Sequence, residues 1–362
     1  MSPAATVTLS ETAMTRTIAP QASHTDDYPR GADFMTRRAD DLQAVGNCLI
    51  DAEYSELPGF RRNKVRDSYQ LPDRRRLLIS TDRQSAFDQV LAAVPYKGQV
   101  LTQTARYWFD ETADVCPNHV ICYPDPNVVM VKDLDMLPVE VVVRSYLTGS
   151  TNTSLWPMYD RGERVLYGHE FPAGMKKNQQ LARPIITPTT KPAQGGHDAP
   201  ITESEILRTQ LVTTGQWHEL AVRSLALFAR GQELAAEKGL ILVDTKYEFG
   251  LDEDGMIVVA DEIHTPDSSR FWIADTYQER FAAGDEPDSL DKEFLRLWIV
   301  SQCDPYRDPI PDIPAETLIE FSNKYIALFE RVTGLEFEKP DASVSVRDRI
   351  RDALARELPE YF

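Results

Sequence analysis

The residues Val243 to Gly250 place charged side chains at every second position of an apolar segment. They continue the apolar run Gly239–Leu242, which predicts a buried strand. Because alternate side chains of a strand share a face, Asp244, Lys246 and Glu248 are expected on one face. Two carboxylates beside a lysine suit the binding of phosphate together with a hard cation such as Mg2+.

The hairpin that follows is expected to add a third carboxylate to this face. Asp254-Gly255 is a strong signal for a two-residue turn before the apolar run 256–260. With those two residues as the loop, Asp261 lies opposite Glu248. Facing carboxylates repel each other, so the lysine and a metal ion would have to offset them. The sequence therefore predicts Asp244, Glu248 and Asp261 as metal ligands, and the alternative is a solvated outer face with mixed charges.

Two further clusters combine an arginine with hydroxyl groups. Arg144 ends a predicted strand, and the turn Thr148-Gly149-Ser150 follows it. Asp267 and Arg270 lie among hydroxyls directly after the second hairpin strand. A guanidinium beside hydroxyls and backbone N–H groups suits a phosphate or a carboxylate. An exposed arginine at a strand end is the alternative for the first cluster, and a plain turn is the alternative for the second.

Weaker signals lie nearer the N-terminus. Lys64 and Arg66 mark the start of a strand, where a solvated basic strand end is the simpler interpretation. Asp82 and Ser85 belong to a dense polar cluster that suits either an anion or amino-acid pocket or a capped turn. Lys97 has the same ambiguity.

Hydrophobic periodicity and turn residues predict an α+β fold, because strands and helices do not alternate regularly. A helix over 215–238 has one apolar stripe, and Gly239 fits its C-cap. The proline-rich segment 171–204, which contains Lys191 and Asp198, is predicted to be a long functional loop. An aspartate there could hold a substrate amine or hydroxyl. The other predicted elements are strands over 65–71, 76–81, 128–132 and 139–144, a helix over 99–112, and mostly helices from 275 onward.

The composition argues against several classes of function. The 362 residues carry a net charge of -18, which argues against nucleic acids and anionic membranes as partners. No apolar stretch approaches the length of a membrane span, and the four cysteines fit free thiols better than a zinc site. Several anion pockets, a lysine and carboxylates for metal indicate phosphoryl transfer, which works by positioning and charge neutralisation. Neither a G-x-x-x-x-G-K-[ST] loop nor a protein-kinase catalytic loop occurs.

Two long motifs resemble the signatures of the SAICAR synthetase family. They are Leu137–Arg144 followed by Thr148-Gly149-Ser150, and Val243–Gly250. Shorter motifs fall in the family's order, and the resemblance covers about residues 60 to 330. One departure is Asn63, where the family commonly has glycine, which puts in doubt the approach of the backbone to phosphate there.

The resemblance implies an ATP-dependent ligase of de novo purine biosynthesis. Such an enzyme joins L-aspartate to carboxyaminoimidazole ribonucleotide through an acyl phosphate, with Mg2+ as cofactor, and gives SAICAR, ADP and phosphate. A cytoplasmic monomer or homodimer is expected, without nucleic-acid or membrane partners. The alternatives are another carboxylate–amine ligase on the same scaffold and a non-catalytic nucleotide-binding protein.

The resemblance also implies domain bounds and residue roles. It implies an ATP-grasp-like nucleotide site between antiparallel-sheet domains. The expected segments are an N-terminal extension (1–50, the first 30 disordered), a nucleotide-covering domain (51–130), a catalytic domain (131–274) and a C-terminal helical region (275–362). The implied roles are catalysis for Lys246, Asp244 and Glu248; ATP binding for Lys64, Arg66, Lys246, Glu248 and Asp261; ribonucleotide binding for Glu140, Arg144, Ser150, Lys191, Asp198, Asp267 and Arg270; and, more weakly, L-aspartate binding for Asp82, Ser85 and Lys97.

Overall fold

The backbone is organised around two antiparallel sheets in a computed structural model that describes residues 41–86, 89–190, 199–290, 293–305 and 307–362. The first sheet has the order β1-β2-β3-β7-β6, and β4 pairs with β5 in a separate hairpin. These strands are β1 (Phe60–Arg61), β2 (Arg66–Gln70), β3 (Arg75–Ser80), β4 (Arg83–Ala86), β5 (Gln89–Ala93), β6 (Val120–Asp125) and β7 (Val128–Lys132).

The second sheet has the order β14-β13-β9-β15-β16, with β12 on β9 and with β8 and β17 on β15. A short hairpin, β10 with β11, lies apart from it. These strands are β8 (Asp135–Met136), β9 (Val139–Leu147), β10 (Val165–Leu166), β11 (His169–Glu170), β12 (Gln179–Ile186), β13 (Thr189–Thr190), β14 (Ala199–Pro200), β15 (Leu240–Leu251), β16 (Ile257–Ala260) and β17 (Ser269–Ile273).

The helices cover these sheets. They are α1 (Lys97–Glu111), α2 (Leu155–Asp160), α3 (Glu203–Thr209), α4 (Thr214–Glu237), α5 (Ala274–Ala283), α6 (Glu293–Gln302), α7 (Ala315–Thr333) and α8 (Val346–Glu357). Residues of α8 pack on the first sheet, and residues of α1 pack with α7. Helix α4 packs on the valines of β9 at 139, 141 and 143, together with Tyr247 and Phe249 of β15. One face of the second sheet is therefore core, and the alternate positions are left for polar side chains.

Most predicted elements are confirmed within one to three residues, including the α+β class. The long loop predicted for 171–204 is wrong, because the segment contains β12, β13, β14 and the start of α3. The prediction relied on the prolines of this segment, one of which, Pro184, lies within β12. It lies where the pairing of β12 with β9 shifts register, which is where a sheet tolerates proline. Residues 1–40 of the predicted N-terminal extension lie outside the described residues, and the predicted domain bounds stay a prediction.

The predicted register of the β15–β16 hairpin is also wrong. Leu251 pairs with Ile257, and the Asp252 N–H donates to the Met256 carbonyl, so the loop has three residues rather than two. Gly255 takes a φ of +73° in that loop, which suits glycine. The ladder therefore pairs Glu248 with Ala260, one residue short of Asp261.

Within the part of the chain that the structure describes, no helix is long and apolar enough to cross a lipid bilayer.

Candidate active site

Strands β9 and β15 present their charged side chains on the face opposite the core. Arg144 pairs with Asp244 across the ladder, and Val142 pairs with Lys246. Continuing this register places Glu140 opposite Glu248. The alternation of apolar and charged residues in the sequence is thus the division between core and site.

Asp244 lies between two arginines from the strands on either side of it. It pairs with Arg144 of β9 and with Arg270 of β17. Its Oδ2 accepts hydrogen bonds from both guanidinium groups, at 2.9 Å from Arg144 Nη1. Arg144 is only 5% exposed and also donates to the Thr187 hydroxyl at 2.8 Å and to the Thr153 carbonyl at 3.3 Å. We call Arg144, Asp244 and Arg270 the arginine cluster.

The net charge of the arginine cluster is positive. Burial lowers the pKa of Arg144, Asp244 opposes that shift, and Arg270 adds to it. Two guanidinium groups share one carboxylate here, so an anion would relieve the repulsion between them.

Lys246 bridges two carboxylates farther along the same face. Its Nζ lies 2.9 Å from Glu140 Oε1 and 2.7 Å from Glu248 Oε1. Burial alone would lower the pKa of Lys246, but Glu248, Glu140 and Asp261 outweigh it and raise that pKa well above its usual value. The lysine therefore stays charged, and it offsets the repulsion between the two glutamates.

Asp261 joins this group by a turn of the backbone rather than by the ladder. It follows the last residue of β16 with a φ of +64°, a conformation that aspartate tolerates better than most residues. Arg66 Nη2 lies 3.2 Å from Asp261 Oδ2 and 2.7 Å from Glu262 Oε1. Burial, with further contributions from Glu248 and Glu262, raises the pKa of Asp261 to about 6 against the opposing effect of Arg66. We call Glu140, Lys246, Glu248, Asp261, Glu262 and Arg66 the carboxylate cluster.

Glu248 and Asp261 lie beside Lys246 as predicted, but Asp244 does not join them, and the role of the three carboxylates as metal ligands stays a prediction. The Asp244 carboxylate is bound by Arg144 and Arg270, so it belongs to the arginine cluster instead. Among the described residues, no group of three or more acidic, histidine or cysteine side chains is arranged to hold a metal ion by itself.

A pocket of about 150 Å3 opens beside the arginine cluster. Hydroxyls of Thr151 and Ser154, which are 2.8 Å apart, contribute to its wall, as does Asp267. Arg296 of α6 lines it as well, and the sequence interpretation missed this residue. A solitary arginine in an amphipathic helix gives no signal of its own. Ser150 is exposed in the turn that precedes Thr151.

The structure gives the weaker N-terminal candidates internal partners. Buried Asp82 accepts hydrogen bonds from the N–H groups of Leu49 (2.7 Å) and Gly98 (2.9 Å), and burial raises its pKa to about 6. Lys97 is fully buried, with its Nζ 2.7 Å from Asp267 Oδ2. These contacts do not support the predicted role of either residue in binding L-aspartate. Ser85 is half-buried in β4.

The turn before Arg66 is shaped by a buried ion pair. Arg83 Nη2 donates to the Asn63 carbonyl at 2.8 Å, and Arg83 Nε donates to the Lys64 carbonyl at 3.2 Å. The same guanidinium pairs with the buried Asp67 carboxylate. Asn63 does not take a positive φ, so this turn does not require the glycine that the family commonly has. The side chain of Lys64 is exposed, and the predicted ligands Lys191 and Asp198 lie outside the described residues.

Comparisons with known proteins agree on one family. A family model described as SAICAR synthetase matches residues 60–313. A phosphoribosylaminoimidazole-succinocarboxamide synthase of Legionella pneumophila (strain Paris) is 51% identical over 298 residues, which is 82% of this chain and 95% of that protein. The solved SAICAR synthase of Saccharomyces cerevisiae complexed with SAICAR is 30% identical, with a TM-score of 0.69 over 80% of this chain and 100% of that one. A type-2 SAICAR synthetase in complex with ADP is 25% identical, with a TM-score of 0.60 over 77% of this chain and 100% of that one.

Proposed function

The chain belongs to the SAICAR synthetase family, and we propose that the two ends of its polar strand face bind the two nucleotides of the family's reaction. This chain is an ATP-dependent ligase of de novo purine biosynthesis that joins L-aspartate to carboxyaminoimidazole ribonucleotide. The proposal is supported above all by the charges of two clusters that adjoin along β15. The arginine cluster has more positive than negative side chains, and the carboxylate cluster has more negative than positive ones.

The ribonucleotide is assigned to the pocket beside the arginine cluster. Its phosphate would take the excess positive charge of Arg144 and Arg270, and the hydroxyls of Thr151 and Ser154 can donate to phosphate oxygens. The yeast structure with SAICAR supports a ribonucleotide site on this fold. Ser150 and Arg296 are proposed as further contacts. Glu140 contacts Lys246, which lines this pocket, and is proposed to act on the ribonucleotide through that lysine.

ATP is assigned to the side of the carboxylate cluster, with Lys64, Arg66 and Lys246 as its cations. The related structure with ADP supports nucleotide binding on this fold. Glu248 and Asp261 fit Mg2+ as oxygen donors in a cluster with more carboxylates than cations. Mg2+ is usually held by one or two carboxylates, waters and the phosphates of its nucleotide, so this site does not need three protein ligands. When bound, the ion would neutralise charge on the phosphates.

The chemical step follows from this placement. The ribonucleotide carboxylate attacks the γ-phosphorus of ATP and forms an acyl phosphate with release of ADP. The amine of L-aspartate then attacks the acyl carbon, and phosphate leaves as the amide forms. Lys246 lies where the two substrates meet, and its raised pKa keeps a fixed positive charge beside the transferring group. L-aspartate has no assigned contact among the described residues, and Lys191 and Asp198 stay predictions for the ribonucleotide. A cytoplasmic monomer or homodimer also stays a prediction.

Isotope transfer tests the acyl phosphate. With 18O in the ribonucleotide carboxylate, the proposal expects one labelled oxygen in the released phosphate, measured by mass spectrometry. Label that stays entirely in the amide product would exclude this route. Replacing L-aspartate with other amino acids in the same assay tests the alternative ligase, which would use a different amine at a comparable kcat/KM.

A further inference from the structure

Asp267 lies where three segments that are far apart in the chain meet. It belongs to the loop between β16 and β17 and lines the 150 Å3 pocket. Its Oδ2 is 2.7 Å from Nζ of Lys97, the first residue of α1. Its Oδ1 accepts a hydrogen bond of 2.6 Å from the hydroxyl of Tyr325 in α7. Both carboxylate oxygens are therefore held by side chains from other parts of the chain.

Because Lys97 is buried, its ammonium group depends on the contact with Asp267. The side chain is fully buried, and a buried ammonium is costly unless a carboxylate lies beside it. Its Nζ also lies 5.9 Å from the centroid of the Tyr325 ring. The lysine, the aspartate and the tyrosine thus form a closed triangle of contacts, which we call the Asp267 triangle.

Lys97, at the start of α1, is held in place by the tight packing of its neighbours. The Gly98 N–H donates to Asp82, and the added Cβ of any larger residue at 98 would lie 2.2 Å from the Ser80 carbonyl oxygen. Tyr96 precedes the helix with a φ of +62°. The direction in which Lys97 leaves the backbone is therefore set by the surrounding chain and not by Asp267.

Tyr325, the third residue of the Asp267 triangle, is held in place by the packing of α7. Tyr325 is fully buried, and its ring centroid lies 4.7 Å from that of Phe321. One turn away, the Ser322 hydroxyl donates to the Pro95 carbonyl at 2.7 Å. Helix α7 thus touches the segment before Lys97 as well as Asp267 itself.

We propose that Lys97 and Tyr325 are positioning residues that fix the orientation of the Asp267 carboxylate toward the ribonucleotide. A carboxylate on a loop is held accurately only when its own partners are rigid, and here both partners are buried. Helix α7, none of whose residues lines the pocket, therefore contributes to substrate affinity. This inference rests on the proposed function, with the ribonucleotide in the pocket that Asp267 lines and with the binding role that the family resemblance implies for Asp267. It reassigns Lys97 from L-aspartate to Asp267.

Tyr325→Phe is the main test, because it removes the hydrogen bond to Asp267 and keeps the ring. The KM for the ribonucleotide should rise on the order of tenfold, as expected for a lost hydrogen bond to a charged acceptor. The kcat and the KM for ATP should change by less than about twofold, since only the ribonucleotide contact is affected. Ser322→Ala is the matched control, because it removes a buried hydrogen bond of the same helix that does not involve Asp267. An equal rise in the ribonucleotide KM with Ser322→Ala would overturn the proposal in favour of a general effect of helix docking.

A double-mutant cycle distinguishes an effect of Tyr325 that acts through Asp267 from one that does not involve Asp267. In an Asp267→Ala background, Tyr325→Phe should change the ribonucleotide KM by less than about twofold, because its target is gone. A full tenfold change in that background would overturn the inference and leave the role of Asp267 intact. An Asp267→Ala enzyme with an unchanged ribonucleotide KM would instead overturn the proposed function of Asp267. Lys97→Met should raise the same KM if the variant folds, and the cycle does not depend on it.

Discussion

Strand β15 carries two groups of charged side chains that differ in how their charges are balanced. Asp244 lies between two arginines of the neighbouring strands, so its end of the strand has an excess of positive charge. Two residues on, Lys246 is shared by two glutamates, and Asp261 and Glu262 face Arg66. That end has an excess of negative charge.

This difference shows that the spacing of charged residues along a strand does not determine which partners each of them binds. In the sequence, Asp244 and Glu248 look equivalent, since both flank the same lysine on one face. Arg144 and Arg270 bind the Asp244 carboxylate, whereas Glu248 shares Lys246 with Glu140 and lies near Asp261, so we propose that the first region binds an anion and the second a cation. The two sites adjoin at Lys246, where the proposed phosphoryl transfer takes place.

Lys246→Met is the strongest way to break this arrangement. The variant keeps the length of the side chain but removes the charge that Glu140 and Glu248 share, and it leaves these two carboxylates facing each other. We expect kcat to fall by about 10²- to 10³-fold. The KM for L-aspartate should change little, because L-aspartate reacts after phosphoryl transfer. Steady-state kinetics measure both. The exposed Lys176 provides the control, since Lys176→Met should retain the wild-type kcat.

Arg144→Ala tests the anion end of the strand. Removal of the buried guanidinium should raise the KM for the ribonucleotide on the order of 100-fold and leave the KM for ATP nearly unchanged. Arg144→Lys should restore only part of the loss, since lysine lacks the planar fork of donors. Equal losses for ATP and the ribonucleotide would place Arg144 on the nucleotide side and remove the distinction between the two ends.

Acid pH should weaken the cation end selectively. The pKa of Asp261 is raised to about 6, so this carboxylate gains a proton as the pH falls through 6. At pH 5 about nine-tenths of it would be neutral, and the KM for MgATP should rise up to about tenfold between pH 7.5 and pH 5.

Asp261→Asn should remove this transition in MgATP affinity and leave the weaker affinity at every pH. Buried Asp82 also has a pKa raised to about 6, and it stays intact in this variant. A transition that persists in Asp261→Asn would therefore point to Asp82 rather than to the carboxylate cluster.

Gly255→Ala should have the smallest effect. The three-residue turn needs a φ of +73° at this position, but open space surrounds the glycine, so the cost is backbone strain of about 1 kcal/mol in the free energy of unfolding. Turnover should be unchanged, because Ile257–Ala260 is buried and holds the register of β16. Gly215→Ala in α4 is the control, since that glycine also has open space but no positive φ, and thermal denaturation compares the two. A loss of activity in Gly255→Ala would mean that the turn, and not the core, positions Asp261.

The local structure of the chain could be predicted from its residues alone. Alternation along 139–144 and 243–250 separated core from polar face correctly, because side chains of a strand point to opposite faces whatever its neighbours are. The helix predicted over 215–238 is Thr214–Glu237 in the structure, and Gly239, the predicted C-cap, follows the C-cap residue Lys238 with a φ of +67°. The two signature motifs identified the family, and they contain two of the three residues of the arginine cluster and three of the six of the carboxylate cluster.

The pairing of the charged side chains depends on contacts between distant parts of the chain. Arg144 and Asp244 are 100 residues apart, and Lys97 and Asp267 are 170 apart, so no local pattern connects them. Asp261 reaches the carboxylate cluster through a left-handed backbone turn, after a three-residue loop had shifted the register that the sequence predicted. Strand neighbours and backbone turns depend on the packing of the whole chain, and they place Asp244 between two arginines and Glu248 beside Lys246.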